Sequence, residues 1–180
     1  MDVKWAKEHF LKYDGSYFHM TREGDIRRYK EYGISREQEK EWIRARQQDL
    51  IQKIETEKNI VPLVSKMAMR LCLIIMKYKE MTYLSSLVNA LKKKEPYLDS
   101  FSLLRVSEDI LQLVEHLLKE SIGENSSVLE AKQFAIELLH KVINNPITID
   151  SWYTEKSGYL KDLTEKEVLE RAKALLRRWA

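Results

Sequence analysis

The chain has 180 residues, of which 44% are hydrophobic and 33% are charged, and its net charge is +3. This balance excludes an intrinsically disordered chain, because enough apolar side chains are present to offset the entropy lost on folding. The small net charge argues against a strongly basic nucleic-acid-binding protein. The single cysteine, Cys72, excludes an internal disulfide framework and a cysteine-based zinc site.

Glycine and proline are scarce, with five and three copies. This scarcity favours long helices joined by short loops over a sheet, which needs more turn residues. The longest apolar stretch, 60–76, contains Pro62, Lys66 and Arg70. A membrane span needs about 20 nearly uninterrupted apolar residues, so the stretch predicts a buried core helix instead. Because the first residues do not resemble a signal peptide, we expect a cytoplasmic protein.

The N-terminal third predicts short elements followed by one long helix. Trp5, His9 or Phe10, and Tyr13 recur at helical spacing and predict a helix over 2–13. The turn signal Asp14-Gly15 interrupts it, and the aromatic residues around this turn predict a loop that folds back and packs.

A short helix over 24–32 should follow and end at Gly33. Ser35 opens a capping box, so a highly charged helix should run from there to about Lys58. Its apolar stripe is narrow, and we therefore expect most of this helix to face water.

The middle of the chain predicts three packed helices. Pro62 suits the first turn of a helix to about Lys79, which is apolar nearly all round and is expected to be the central core element. A second helix over 82–94 should end in three lysines, before Pro96 stops it. Asp99 can cap a third helix over 100–121 that ends at Gly123.

Two further helices are predicted after Gly123. A capping box over 127–130 opens a helix to about Asn144, which Asn145-Pro146 terminates. Residues 147–161 are expected to form an irregular connector with one or two turns. A third capping box over 164–167 begins an amphipathic helix, whose Trp179 should dock on its own chain or on a neighbour.

No alternating pattern long enough for a strand is present, so the fold class is all-α. We predict a helical bundle or short α-solenoid of about six to eight helices, with an aromatic N-terminal loop segment. The chain should form a single helical domain over 1–180. Within it, 1–58 holds the loop and charged helix, 59–145 the core helices, and 146–180 the connector and amphipathic helix.

Charge is unevenly distributed along the chain. Residues 59–105 hold eight Lys or Arg and three Asp or Glu, a net charge of +5, whereas residues 106–150 hold three and eight, a net charge of −5. Blocks of opposite sign can attract each other within one fold, which is the interpretation that we favour. The alternative is a bipolar surface that orients a charged partner.

Three groups of residues are candidate sites. The aromatic loop contains Tyr13, Asp14, Tyr17, Phe18 and His19. Its aromatic side chains predict a structural plug or a partner-binding surface, because aromatic residues dominate binding hot spots. An Asp can also orient a His for acid–base chemistry, but no nucleophile pattern accompanies this pair.

The second group is a possible basic patch, which could contact phosphates if its members converge. It comprises Lys92, Lys93, Lys94, Arg177 and Arg178. The third group is Glu137 and His140, a single Glu-x-x-His pair. Di-iron bundles use this motif twice, so one copy is a weak candidate for a metal site.

No phosphate-binding glycine loop, H-E-x-x-H motif or EF-hand loop is present, and we therefore expect no cofactor. The sequence favours a non-catalytic protein-interaction or regulatory module that binds another protein or a second copy of itself. A nucleic-acid-associated helical regulator is the first alternative, and an enzyme or metal-binding bundle is the second. Small helical proteins of bacterial type, such as immunity proteins and adaptor modules, have a similar composition, but composition does not carry function.

Overall fold

A computed structural model describes residues 3–57, 61–120, 125–156 and 163–179. These residues contain nine α-helices and no strand, which confirms the all-α helical bundle. They divide into two compact units, Met1–Leu50 and Ile51–Ala180, with the boundary inside the fourth helix. The single domain over 1–180 stays a prediction.

The first unit contains three short helices and most of a long one. The helices are α1 (Lys4–Lys12), α2 (Tyr17–Arg22), α3 (Ile26–Glu31) and α4 (Arg36–Thr56). Phe10 of α1 is fully buried at its centre. Its ring stacks on Tyr29 at 5.6 Å and meets the edge of Trp42 at 5.8 Å. These contacts join α1, α3 and α4 into one aromatic core.

The aromatic N-terminal segment differs from the predicted loop, because its second half forms α2. The side chain of Ser16 accepts a hydrogen bond from the backbone N–H of His19 and so caps this helix. Asp14 and Gly15 have positive φ angles of 48° and 72°, which turn the chain sharply between α1 and α2. With this additional short helix, the described residues contain nine α-helices instead of the predicted six to eight.

The second unit contains the end of α4 and five longer helices. These are α5 (Val61–Tyr78), α6 (Thr82–Lys94), α7 (Ser100–Lys119), α8 (Ser126–Asn144) and α9 (Glu165–Trp179). A short 3-10 turn, Glu95–Tyr97, follows α6, and a π-helical turn, Trp152–Lys156, lies in the connector between α8 and α9.

Helix α7, and not the predicted α5, is the centre of the second unit. It packs against α5, α8 and α9, and twelve of its twenty residues are buried. By contrast, α5 leaves Leu63 and Leu73 43% and 52% exposed. Helix α5 is the most apolar helix in sequence, but α7 is central because it packs against three other helices.

Three of the predicted helix starts are confirmed and one is wrong. The side chains of Ser35, Asp99 and Thr164 accept hydrogen bonds from backbone N–H groups three residues later. The predicted cap at Ser127 is instead provided by Asn125, whose Oδ1 accepts from the Ser127 N–H at 2.9 Å. The predicted helix ends at Lys58 and Gly123 and part of the connector, 157–161, lie outside the described residues.

The connector is anchored to the first turn of α7. The Asp99 carboxylate caps α7 with one oxygen and accepts from the Asp150 N–H at 2.6 Å with the other. Ser100 exchanges two hydrogen bonds with Ile147. In the part of the chain that the structure covers, no helix is long and apolar enough to span a membrane.

Candidate functional site

Helix α2 presents an exposed aromatic surface, and we call Tyr17, Phe18 and His19 the α2 surface. Phe18 is 73% exposed, the largest value among the large hydrophobic residues that the structure describes, and Tyr17 is 44% exposed. The His19 ring lies edge-on to Phe18, with centroids 5.5 Å apart. Its Nδ1 lies 2.8 Å from the Ser16 hydroxyl, which orients the imidazole.

A buried carboxylate holds this surface in place. Glu39 of α4 is only 8% exposed, and its Oε1 accepts hydrogen bonds from the hydroxyl groups of Tyr17 and Tyr29. The Tyr29 bond is 2.7 Å long. Hydrogen bonds from two tyrosine hydroxyl groups compensate the cost of burying this polar side chain. Glu39 therefore ties α2 and α3 to α4.

Tyr13 and Asp14 have structural contacts. The Tyr13 hydroxyl donates to Asp25 Oδ2 at 2.9 Å, and Asp14 lies 3.3 Å from Nε of Arg46. Asp14 thus pairs with Arg46 whereas His19 pairs with Ser16. This arrangement does not favour the predicted acid–base pair of Asp14 and His19.

The predicted basic patch is divided between two helices, and most of its members contact acceptors. Lys92 and Lys93 pair with Glu130 and Glu55, at 2.9 and 2.6 Å. Lys94 donates to the backbone oxygen of Glu57 at 2.9 Å. These contacts place the three lysines against α8 and the end of α4.

The other two members of the predicted basic patch, Arg177 and Arg178, lie in the last turn of α9. There Arg178 pairs with Glu115 of α7 at 2.8 Å. Ion pairs also join the oppositely charged blocks of the sequence. Lys92–Glu130 and Lys79–Glu120 both connect the basic block to the acidic one. These pairs support mutual attraction within the fold rather than a bipolar surface.

Glu137 and His140 have exposed side chains on α8, and Glu137 accepts a hydrogen bond from Gln133 at 3.0 Å. Among the described residues, no group of three or more His, Cys, Asp or Glu side chains could hold a metal ion. The Glu-x-x-His pair therefore has no third ligand of these types in that part of the chain.

Sequence reasoning missed a buried hydroxyl cluster in the second unit. The Tyr153 hydroxyl lies 3.0 Å from Ser102 Oγ on α7 and 3.1 Å from Ser65 Oγ on α5. Burial raises the pKa of the Tyr153 phenol, and the hydrogen bonds with Ser102 and Ser65 partly oppose this rise. No local pattern marks these three residues, because they lie far apart in the chain.

Asp109 of α7 is a second residue that the sequence did not single out. Burial raises the pKa of its carboxyl from 3.8 to about 6, while Arg105 lowers it and Glu108 raises it. Burial also raises the pKa of the Cys72 thiol on α5, and the charge of Asp109 adds to this effect. A perturbed carboxyl can mark a functional site or a strained position in the core.

No protein-family model, curated protein or solved structure matches this chain. The interpretation of its surfaces therefore depends on their geometry and chemistry.

Proposed function

We propose that the protein is a non-catalytic interaction module that binds a partner protein through the α2 surface, with Phe18 as the central contact. The observation that carries this proposal is the 73% exposure of a phenylalanine on a capped, anchored helix. A phenylalanine ring buries a large apolar area when it enters a pocket, and aromatic side chains dominate the binding energy of many interfaces.

The anchoring of α2 supports the same proposal. Ser16 caps the helix, and Glu39 holds the Tyr17 hydroxyl. A surface that is already ordered before binding loses less conformational entropy on association. The partner should offer an apolar pocket for the Phe18 ring, with polar groups at its rim for His19.

The alternatives receive less support from the contacts. Affinity for nucleic acid needs several phosphate contacts at once, and Lys92, Lys93 and Lys94 already contact protein acceptors. The pairing of Asp14 with Arg46 likewise gives no support to an acid–base pair of Asp14 and His19. We also propose a cytoplasmic location, in keeping with a single cysteine whose thiol is buried.

The test is affinity capture from a native lysate of cells that produce the protein, with and without nuclease, and the bound proteins are identified by mass spectrometry. The baits are the wild type, Phe18→Ala and Tyr97→Ala. Tyr97 is a matched control, because it is 69% exposed but lies in the second unit. We expect a partner on the wild-type and Tyr97→Ala baits that falls at least about tenfold on Phe18→Ala. Equal capture by all three baits, or loss of all partners with nuclease, would contradict the proposal.

A further inference from the structure

Helix α7 exposes one strip of its surface between α5 and α9. Helix α5 packs along one flank of α7, whereas α9 packs against α8 and the other flank of α7. In the strip, Gln112 is exposed, and Arg105, Asp109 and His116 are partly exposed. These four residues follow one another at spacings of four and three, so they share one face of the helix. We call them the α7 strip.

Contacts on both flanks fix the position of the α7 strip. On the α9 flank, Glu108 pairs with Arg171 at 2.5 Å. On the α5 flank, burial and also the nearby charge of Asp109 raise the pKa of the Cys72 thiol, so Asp109 lies beside α5. Glu108 and Asp109 are consecutive residues, and their side chains point about 100° apart around the helix. The strip therefore occupies the angle between α5 and α9.

Methionine and leucine side chains form the α5 wall of this seam. Met69, Leu73 and Met76 follow one another at spacings of four and three, on the exposed side of Cys72. Leu73 is 52% exposed, and the two methionines are partly exposed. Methionine is flexible and adapts its shape to different apolar partners. The wall therefore offers an apolar ridge that runs along the polar α7 strip.

Asp109 is the charged group of the strip that the fold leaves unpaired. Arg105 pairs with Glu108 at 3.1 Å, and His116 pairs with Glu120 at 3.1 Å. Among the described residues, by contrast, no hydrogen bond or ion pair reaches the Asp109 carboxyl. Burial raises its pKa to about 6, although the charge of Arg105 opposes this rise. A cation that approached this carboxylate would offset the cost of its partial burial.

We propose that the seam between α5 and α9 binds a cationic amphipathic helix of another protein. Its apolar face packs against Met69, Leu73 and Met76, and one of its lysine or arginine side chains pairs with Asp109. A helix fits because the strip is straight and about 16 Å long, which is about three helical turns. The positive charge follows from the unpaired carboxylate. The seam lies in the second unit and α2 in the first, so this inference does not depend on the proposed function.

Two synthetic peptides test the seam. Each forms an amphipathic helix of about five turns with a leucine face, and the positions beside that face carry lysine in one peptide and glutamate in the other. Fluorescence anisotropy with the full chain measures their affinities near neutral pH. We expect the lysine peptide to bind at least about tenfold more tightly than the glutamate peptide. Absence of binding by the lysine peptide, or equal affinities of the two peptides, would overturn the proposal.

Matched variants locate the site. Asp109→Asn should weaken binding of the lysine peptide at least about tenfold, whereas Glu137→Gln removes a carboxyl group from the exposed face of α8 and should keep the wild-type affinity. Leu73→Ser should also weaken binding, and Leu129→Ser changes an exposed leucine of α8 as its control. Circular dichroism checks that each variant is folded. If the α8 variants lose as much affinity as the seam variants, the peptide binds elsewhere and the proposal fails.

The pH dependence of binding is an independent readout. Asp109 attracts a cation only when it is ionised, and its pKa is about 6. The affinity of the lysine peptide should therefore rise up to about tenfold from about pH 5 to about pH 7. Asp109→Asn is the control for the other titratable groups near the seam, which include Glu108, Cys72 and His116, and its rise should be much smaller. Equal pH profiles of wild type and variant would contradict the pairing with Asp109.

Discussion

The hydroxyl of Tyr153 lies 3.0 Å from the Oγ of Ser102, although 51 residues separate them in the chain. The same hydroxyl reaches Ser65, and the Tyr153 ring meets the edge of Phe101 at 4.6 Å. One side chain of the connector therefore joins the first halves of α5 and α7. Both serines lie in the buried interior, where a hydrogen bond that is lost is not replaced by water.

Tyr153→Phe should lower the free energy of unfolding by about 1–2 kcal/mol, because it removes the hydroxyl but keeps the ring. Urea denaturation followed by circular dichroism measures the change. Tyr97→Phe is the control, since Tyr97 is exposed and its hydroxyl is open to water. Equal stability of the two variants would mean that the buried cluster contributes nothing measurable.

Asp109→Asn should stabilise the protein in a pH-dependent manner. The pKa of Asp109 is raised to about 6 in the folded state, so the folded protein holds this proton more tightly than the unfolded chain. The stability that the protonated Asp109 carboxyl contributes is therefore lost as the pH rises from about 4 to about 6.

The variant should match the wild type near pH 4 and exceed it by about 1–2 kcal/mol at pH 7, with allowance for partial exposure. Urea denaturation at several pH values gives the profile. Glu137→Gln removes one carboxyl group in the same way from the exposed face of α8 and is the matched control. A difference between Asp109→Asn and wild type that stays constant with pH would contradict the predicted titration.

Gln47→Leu should raise the free energy of unfolding by about 1–3 kcal/mol. Gln47 is fully buried on the face of α4 that also carries Ile43 and Leu50, and its amide has no hydrogen-bond partner among the described residues. Burial of an unpaired amide is costly, and leucine has a similar size. Gln48→Leu makes the same exchange at an exposed position and should change stability little. If Gln47→Leu destabilises the protein in thermal and urea unfolding, the amide is hydrogen-bonded in solution.

Phe18→Ala should leave the free energy of unfolding within about 0.5 kcal/mol of the wild type, because the ring faces solvent. Phe10→Ala should lower it by about 3–5 kcal/mol, because it leaves a cavity in the aromatic core of the first unit. Thermal and urea unfolding of the two variants measure this contrast. A large loss of stability in Phe18→Ala would show that α2 is structural and would remove the basis of the proposed binding surface.

Features that depend only on neighbouring residues could be predicted from the sequence. The helix starts at Ser35, Asp99 and Thr164 were predictable, because a cap bonds to a backbone N–H only three residues away. The all-α class was predictable for a similar reason, since hydrophobic periodicity and the scarcity of turn residues act locally. The short helix α2 was not predicted, because its cap, Ser16, directly follows the turn signal Asp14-Gly15, which is typical of a loop.

The contacts between charged groups and hydroxyl groups of distant residues depend on how the helices pack. Glu39 became the acceptor for Tyr17 and Tyr29 only when α2, α3 and α4 came together. The lysines of α6 likewise acquired their partners from helices about 38 residues away in the chain. Such contacts depend on the three-dimensional arrangement of helices, and periodicity shows which face of a helix is buried but not which residue of another helix covers it.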